Sequence, residues 1–185
     1  MNYTVTTREA VIAADEFVER YRDVDRFHAL CTQCPSYGKV WSCPPFDFDP
    51  RTRTDDFKMV TVIGTTIEFD KSVRQAGKGS RVKAKDIADQ AMRQVWSTLL
   101  PELHERERQV KGCRAFTFRC SLCQEGCTRS DGLPCRHPEL MRNSLESVGF
   151  DITTMARDLL GIELEWSCDG SLPAHITLVT ALMYP

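Results

Sequence analysis

The chain predicts an α/β fold of the α+β kind, a small mixed β-sheet covered by helices and interrupted by two irregular cysteine-rich loops. Three observations predict it. The β-branched run Met59–Phe69 and the apolar run His175–Tyr184 read as buried strands. Segments with apolar residues at helical spacing separate them. Seven of the nine cysteines crowd into residues 31–43 and 120–135, where neither period holds. A length of 185 residues suits one domain, taken as 1–185.

The elements follow in order. Residues 7–21 read as a helix, because Val11, Ala14, Phe17, Val18 and Tyr21 fall on one face with Asp15, Glu16 and Glu19 interleaved. Residues 28–50 are a loop rich in cysteine, proline and aromatics. After the strand Met59–Phe69, residues 70–79 read as a polar turn, and Ser80 is placed to cap the next helix. That helix spans about 81–100 on the stripe Ile87, Ala88, Ala91, Val95 and Leu99. Pro101 is expected to kink or restart it, with a charged continuation to about Val110 and an end at Gly112. Residues 113–119 read as a short strand and 120–135 as the second irregular loop. Residues 137–148 read as a helix with Pro138 in its first turn and Gly149 just past its end. Residues 154–160 predict a further short helix. Residues 162–166 alternate with glutamates as a half-exposed strand does, paired with the final strand across an Asp169-Gly170 turn.

Charge narrows the function. A net charge of −2 gives no basic excess for nucleic acid. The first fifteen residues lack a basic region followed by a long apolar run, and no stretch is apolar for long enough to span a bilayer. The reading is therefore a cytoplasmic protein with no membrane partner. An odd number of cysteines in a reducing compartment points to metal ligands or redox chemistry rather than disulfides.

The first constellation is Cys31-x2-Cys34-x8-Cys43, followed by Pro44 and Pro45. Two residues between cysteines let one turn aim both sulfurs at a point. Pro35, Pro44 and Pro45 stiffen the loop, and Trp41, Phe46 and Phe48 are available to shield a site from water. Three thiolates leave a fourth position open. His28, three residues before Cys31, is one candidate for it, and Cys113 and Cys168, otherwise bystanders, are two more. An iron left open beside an apolar rim of Trp41, Pro44, Pro45 and Phe46 is the other reading, and it suits a small-molecule ligand. The second constellation, Cys120-x2-Cys123-x3-Cys127-x7-Cys135, supplies four thiolates within sixteen residues, enough for a complete site. The helix expected from about Pro138 would aim its positive end at an anionic cluster, and Arg136 would add charge compensation.

The set of Cys31, Cys34, Cys43, Cys120, Cys123, Cys127 and Cys135 is read as binding one or two [4Fe–4S] clusters, with a redox, electron-transfer or cluster-dependent role and a redox protein or small molecule as partner. Zinc in a structural module that binds a protein is the alternative, since it takes the same four thiolates, although usually as two close pairs. Ligands shared between the loops remain open. Cys113 and Cys168 read as bystanders; in an extended segment Cys113 and Cys120 would point to opposite faces. Gly77-Lys78-Gly79-Ser80-Arg81 reads as an ordinary capped turn rather than a phosphate loop. Ser144, Glu146 and His137 read as local bonding, capping or surface residues. No lone cysteine stands beside a plausible base, which argues against Cys–His nucleophilic catalysis.

The segments Cys31-Thr32-Gln33-Cys34-Pro35-Ser36-Tyr37-Gly38 and Trp41-Ser42-Cys43-Pro44-Pro45 resemble those of the predicted metal-binding proteins grouped as domain of unknown function 2284. The later run Cys120-x2-Cys123-x3-Cys127, then Pro134-Cys135-Arg136-His137-Pro138-Glu139, resembles the same family's second motif, as does Ser144-Leu145-Glu146-Ser147-Val148-Gly149. The resemblance extends from about residue 25 to the end. It implies the seven-cysteine ligand set, leaves out Cys113 and Cys168, and brings no activity and no metal identity with it.

Overall fold

The computed structural model describes residues 2–167 and 170–185. Strands β1 (Tyr3–Ala13), β2 (Met59–Phe69), β3 (Arg114–Phe116) and β4 (His175–Tyr184) form one sheet in the order β1-β2-β4-β3. Neighbouring strands are antiparallel, and an isolated parallel bridge from Thr117 to Ser144 extends the β3 edge. The helices are α1 (Ala14–Tyr21), α2 (Val24–Cys31), α3 (Lys71–Gly77), α4 (Arg81–Gln109) and α5 (Ile152–Leu160). The α+β class is thus the one the chain adopts.

Strand side chains alternate between faces, and here both faces are covered. Val60, Val62, Val179, Ala181 and Met183 pack against Phe17 and Tyr21 of α1 and Met155, Ala156 and Leu160 of α5. On the opposite face Ile67 and Phe69 meet Ala84 and Ala91 of α4, while Ile63 and Leu182 meet Leu103. Burial on both sides is why β2 and β4 read as nearly unbroken apolar runs. Among the described residues, no helix is long and apolar enough to cross a membrane.

Several expectations are corrected. The helix expected over 7–21 exists only as α1; the preceding residues belong to β1, which pairs with β2 at every position from Tyr3↔Phe69 to Ala13↔Met59. Eleven residues of ladder outweigh a helical stripe, and Val11, expected inside, is 66% exposed. The helix expected over 137–148 reduces to a 3-10 turn, Glu146–Val148. Local side-chain bonds and one long-range backbone bond take the backbone groups a helix would need. Arg142 Nη1 donates to the carbonyls of Glu139 and Met141 at 2.8 and 2.9 Å, Asn143 O accepts from Thr117 N at 2.9 Å, and Ser147 Oγ donates to Ser144 O at 2.7 Å. No helix dipole therefore points at Cys135. The polar turn expected over 70–79 contains α3 instead, and α4 runs through Pro101 without interruption. Residues 162–166 form no strand; Ile162 and Leu164 pack into the core, and β4 pairs with β2 and β3. Asp169, in the expected turn, lies outside the described residues, as does Cys168.

One buried ion pair ties the irregular 136–150 segment to this frame. Arg142 Nε and Nη2 donate to the Glu107 carboxylate at 2.7 Å each, and Ala115 N donates to the same carboxylate at 2.8 Å. Burial by itself would raise the Glu107 carboxyl, but the Arg142 and Ala115 hydrogen bonds outweigh it and hold the group below its ordinary value. A carboxyl depressed in the folded state stabilises above its unfolded value of about 4.3, and that contribution is lost as pH falls through the folded value. Arg142→Ala should cost about 3 kcal/mol at pH 7 and less as pH falls through the folded Glu107 value, and Glu107→Gln should flatten the acid limb. Urea unfolding followed from pH 7 down the acid limb checks both.

Candidate metal centre

α2 carries the first cysteine. Asp23 Oδ1 caps its start by accepting from Arg26 N at 3.0 Å, and Cys31 is its last residue. Beyond it the chain winds through tight turns: Cys34 N to Cys31 O, Tyr37 N to Cys34 O and Cys43 N to Val40 O, each 3.0 Å. Gly38, at φ +69°, reverses the loop so that its N–H reaches Pro44 O at 2.8 Å. Cys31, Cys34 and Cys43 are thereby gathered. Burial pushes Cys43 up to about 11; the Ser42 hydroxyl, 3.9 Å from its sulfur, opposes this, and charge on Cys34, Cys31 and Glu146 reinforces it. Cys31 is raised by burial first, then by Cys34 and Glu146. Burial therefore favours the thiol form of Cys31 and Cys43, and a metal that takes these two sulfurs displaces protons.

The second loop encloses its own space. Cys120, Cys123, Cys127 and Cys135 line one cavity of about 220 Å³, together with Val40 and Trp41 of the first loop and His137. Burial raises Cys120, the Leu122 backbone N–H lowers it, and charge on Cys135, Cys127 and Cys123 raises it again. His137 N donates to Cys135 Sγ at 3.4 Å, the kind of amide–sulfur bond that tunes a cluster. Among the described residues, no group of three or more His, Cys, Asp or Glu is arranged to hold a metal ion.

Arg129 locks the two loops together. Its Nη1 donates to Val40 O at 2.9 Å and Cys43 O at 2.5 Å, its Nη2 donates to Pro45 O, and its guanidinium lies 5.0 Å from the Trp41 ring centre. Trp41 Nε1 donates to Leu133 O at 3.1 Å, and Asn143 Nδ2 to Ser42 O at 3.1 Å.

The expected site residues thus fall into two adjacent groups, 31/34/43 and 120/123/127/135, rather than a shared one. Trp41 covers the second group, whereas Phe46 packs on the core, stacks on Phe48 at 4.6 Å and faces His28 at 6.2 Å. His28 Nε2 is buried without a hydrogen-bond partner. Cys113 stands apart beside Glu107 and Arg106, pushed up to about 11 chiefly by burial. Arg136 bonds Gly126 O at 3.0 Å within the second loop. Ser80 caps α4 from its hydroxyl, as expected, beside a cavity lined by Lys71, Arg74, Lys78 and Arg81. Sequence reasoning missed Arg129, Asn143 and Glu146. Burial pushes the Glu146 carboxyl up to about 7, opposed by its own N–H and by Ser144. Its only sequence signal was its place in the run from Ser144 to Gly149.

Lysine in place of Arg129 keeps the charge and loses the fork. Arg129→Lys should cost about 2 kcal/mol, about 4–8 °C in melting temperature for a chain of this size, and should lower metal retention at both loops. Thermal melts paired with metal analysis after gel filtration check this.

No curated protein and no solved structure matches the chain. The family described as predicted metal-binding protein, domain of unknown function 2284, matches residues 18–184, which spans both cysteine loops and most of the fold. The chain belongs to this family of predicted metal-binding proteins.

Proposed function

We propose that the protein carries two iron–sulfur clusters and works in a redox or cluster-dependent reaction in the cytoplasm. The observation that carries this reading is the enclosed volume of about 220 Å³ among Cys120, Cys123, Cys127 and Cys135. A [4Fe–4S] cluster places four iron and four sulfide atoms among four thiolates, whereas zinc takes four thiolates usually presented as two close pairs, which the spacing of the second set is not.

The two loops then have different roles. The second has a complete thiolate set and acts as relay or structural support. The first has three thiolates and is the reactive one. Val40 and Trp41 belong to the first loop and line the cavity of the second, so electrons pass between the clusters across a short stretch of packed protein. An apolar cavity of about 330 Å³, whose walls include Met92, Phe118, Ile152, Leu164, Val179 and Glu146, is the place for a small, largely apolar ligand. Electrons reach the pair from a redox protein.

Anaerobically purified protein should be brown and contain iron with acid-labile sulfide. Colourless protein with stoichiometric zinc would reject the cluster reading in favour of a structural module. The second set closes locally, within sixteen residues, and does not depend on distant chain closure. Cys123→Ala should therefore remove about half of the iron, whereas Cys113→Ala should leave iron and sulfide unchanged. Equal losses from both, measured by iron and sulfide assay, would remove the assigned set.

A further inference from the structure

Beside the Arg142–Glu107 pair the fold leaves two arginines without a counterion. Arg53, in the 3-10 turn Pro50–Thr54, and Arg114, the first residue of β3, line one cavity of about 390 Å³ together with Arg142, Glu107, Glu139 and Phe116. Both arginines are half-buried. Arg53 Nε is sealed from solvent without a hydrogen-bond partner, and its guanidinium carbon lies 3.8 Å from the Phe48 ring centre. Among the described residues neither arginine makes an ion pair. The carboxylates of the cavity do not serve them. Glu107 is taken by Arg142 Nε and Nη2 and by Ala115 N. Glu139 is exposed and, among the described residues, pairs with no cation. Burial lowers Arg114 from its ordinary value, and charge on Arg53 and then Arg142 lowers it further, against the pull of Glu107. A guanidinium does not shed its proton to relieve such crowding. Half-buried like charges are costly, and an anion between them offsets the cost.

We propose that this cavity binds a small, doubly charged organic anion, a dicarboxylate or a phosphate monoester, gripped by Arg53 and Arg114. Two uncompensated guanidiniums match two negative charges, and each offers a planar fork suited to carboxylate or phosphate oxygens. Arg142 is already held by Glu107, so it is a fixed wall rather than a third grip. The walls are set before any ligand arrives: β3 carries Arg114 on its ladder with β4, and Phe48 backs Arg53. The volume leaves room for a short carbon body behind the charged groups. Asn143, also in the wall, donates to Ser42 O beside Cys43 at 3.1 Å. The anion therefore rests on the segment that runs from Cys135 to this contact with the first cysteine loop. The site itself stands whether or not the cysteines hold a cluster.

The test uses full-length protein, purified anaerobically and titrated by calorimetry at neutral pH and constant ionic strength with succinate, inorganic phosphate and acetate. Arg114→Gln and Arg53→Lys are compared with wild type, and Arg74→Gln on α3, outside the cavity, is the control. Wild type should bind succinate or phosphate at least about tenfold more tightly than acetate, which carries one charge. Whichever of the two binds more tightly identifies the head group, and either supports the site. Arg114→Gln should weaken that anion by about tenfold or more. Arg53→Lys should weaken it as well, although the charge is kept, because the fork is lost. Arg74→Gln should leave it unchanged. Melting temperatures give a second readout. Without anion, Arg114→Gln should melt above wild type, since one of two crowded charges is gone, and it should gain less from saturating anion. Wild type that binds none of the three anions, or all three alike, overturns the proposal. So does binding that either cavity variant leaves intact. Should Arg114→Gln melt low and lose binding, Arg53→Lys decides: weakened binding there supports the site, and wild-type binding overturns it.

Discussion

Backbone carbonyls must be paired when they leave water, and a loop that aims sulfurs at a common centre cannot pair them in a helix or a sheet. The two cysteine loops meet this constraint with arginine. Arg129 reaches three carbonyls of the first loop from a turn in the second, and Arg136 takes Gly126 O within the second. Arg142 takes two carbonyls of its own segment while its other nitrogens hold Glu107 on α4. A planar guanidinium offers several fixed donors, so one side chain does for irregular backbone what a neighbouring strand does for β2. The placement of the sulfurs follows from these bonds rather than from any regular element.

The sheet supplies what the loops cannot. With both faces of β2 and β4 covered, the frame holds the elements that flank the loops, the first loop running from α2 to β2 and the second from β3 toward α5. The decisive contact is at residues 149–151. Gly149 O accepts from Asp23 N and Asp151 N donates to Tyr21 O, both at 2.8 Å, so this short segment runs along the junction of α1 and α2. Phe150 is fully buried against Phe17, ring centres 4.6 Å apart. Packing of an aromatic pair in the core thus holds the segment after the Glu146–Val148 turn against α1 and the start of α2.

The fold was legible wherever burial imposed a pattern. Met59–Phe69 and His175–Tyr184 have the expected bounds because both strands are buried on two faces, and α4 follows its stripe from Ser80 onward. β1 was misread because Val11, Ala14, Phe17 and Tyr21 share a helical spacing across a strand–helix junction, and sequence alone does not reveal a partner strand nearly fifty residues away. Residues 137–148 were misread because helical spacing says nothing of Asn143 being needed at Ser42 O. The grouping of cysteines was visible as crowding. Glu146 was not, since a glutamate in a polar-looking run has the same signature whether its carboxyl is exposed or buried.

The two cysteine groups also differ in how they relate to folding. Cys120 to Cys135 span a short chain, and little loop entropy opposes their convergence; a metal there can gather its ligands before the sheet is complete. The first group has Cys31 at the end of α2, whose start is held against the 149–151 segment only when the core of Phe17 and Phe150 has assembled. Its Cys31 and Cys43 thiols are raised by burial that exists only in the folded chain. Before folding those thiols ionise more easily but are dispersed; after folding they are gathered but hold their protons. A metal at the first group would therefore be linked both to folding and to proton release, whereas the second group would gather its four sulfurs mainly within its own loop.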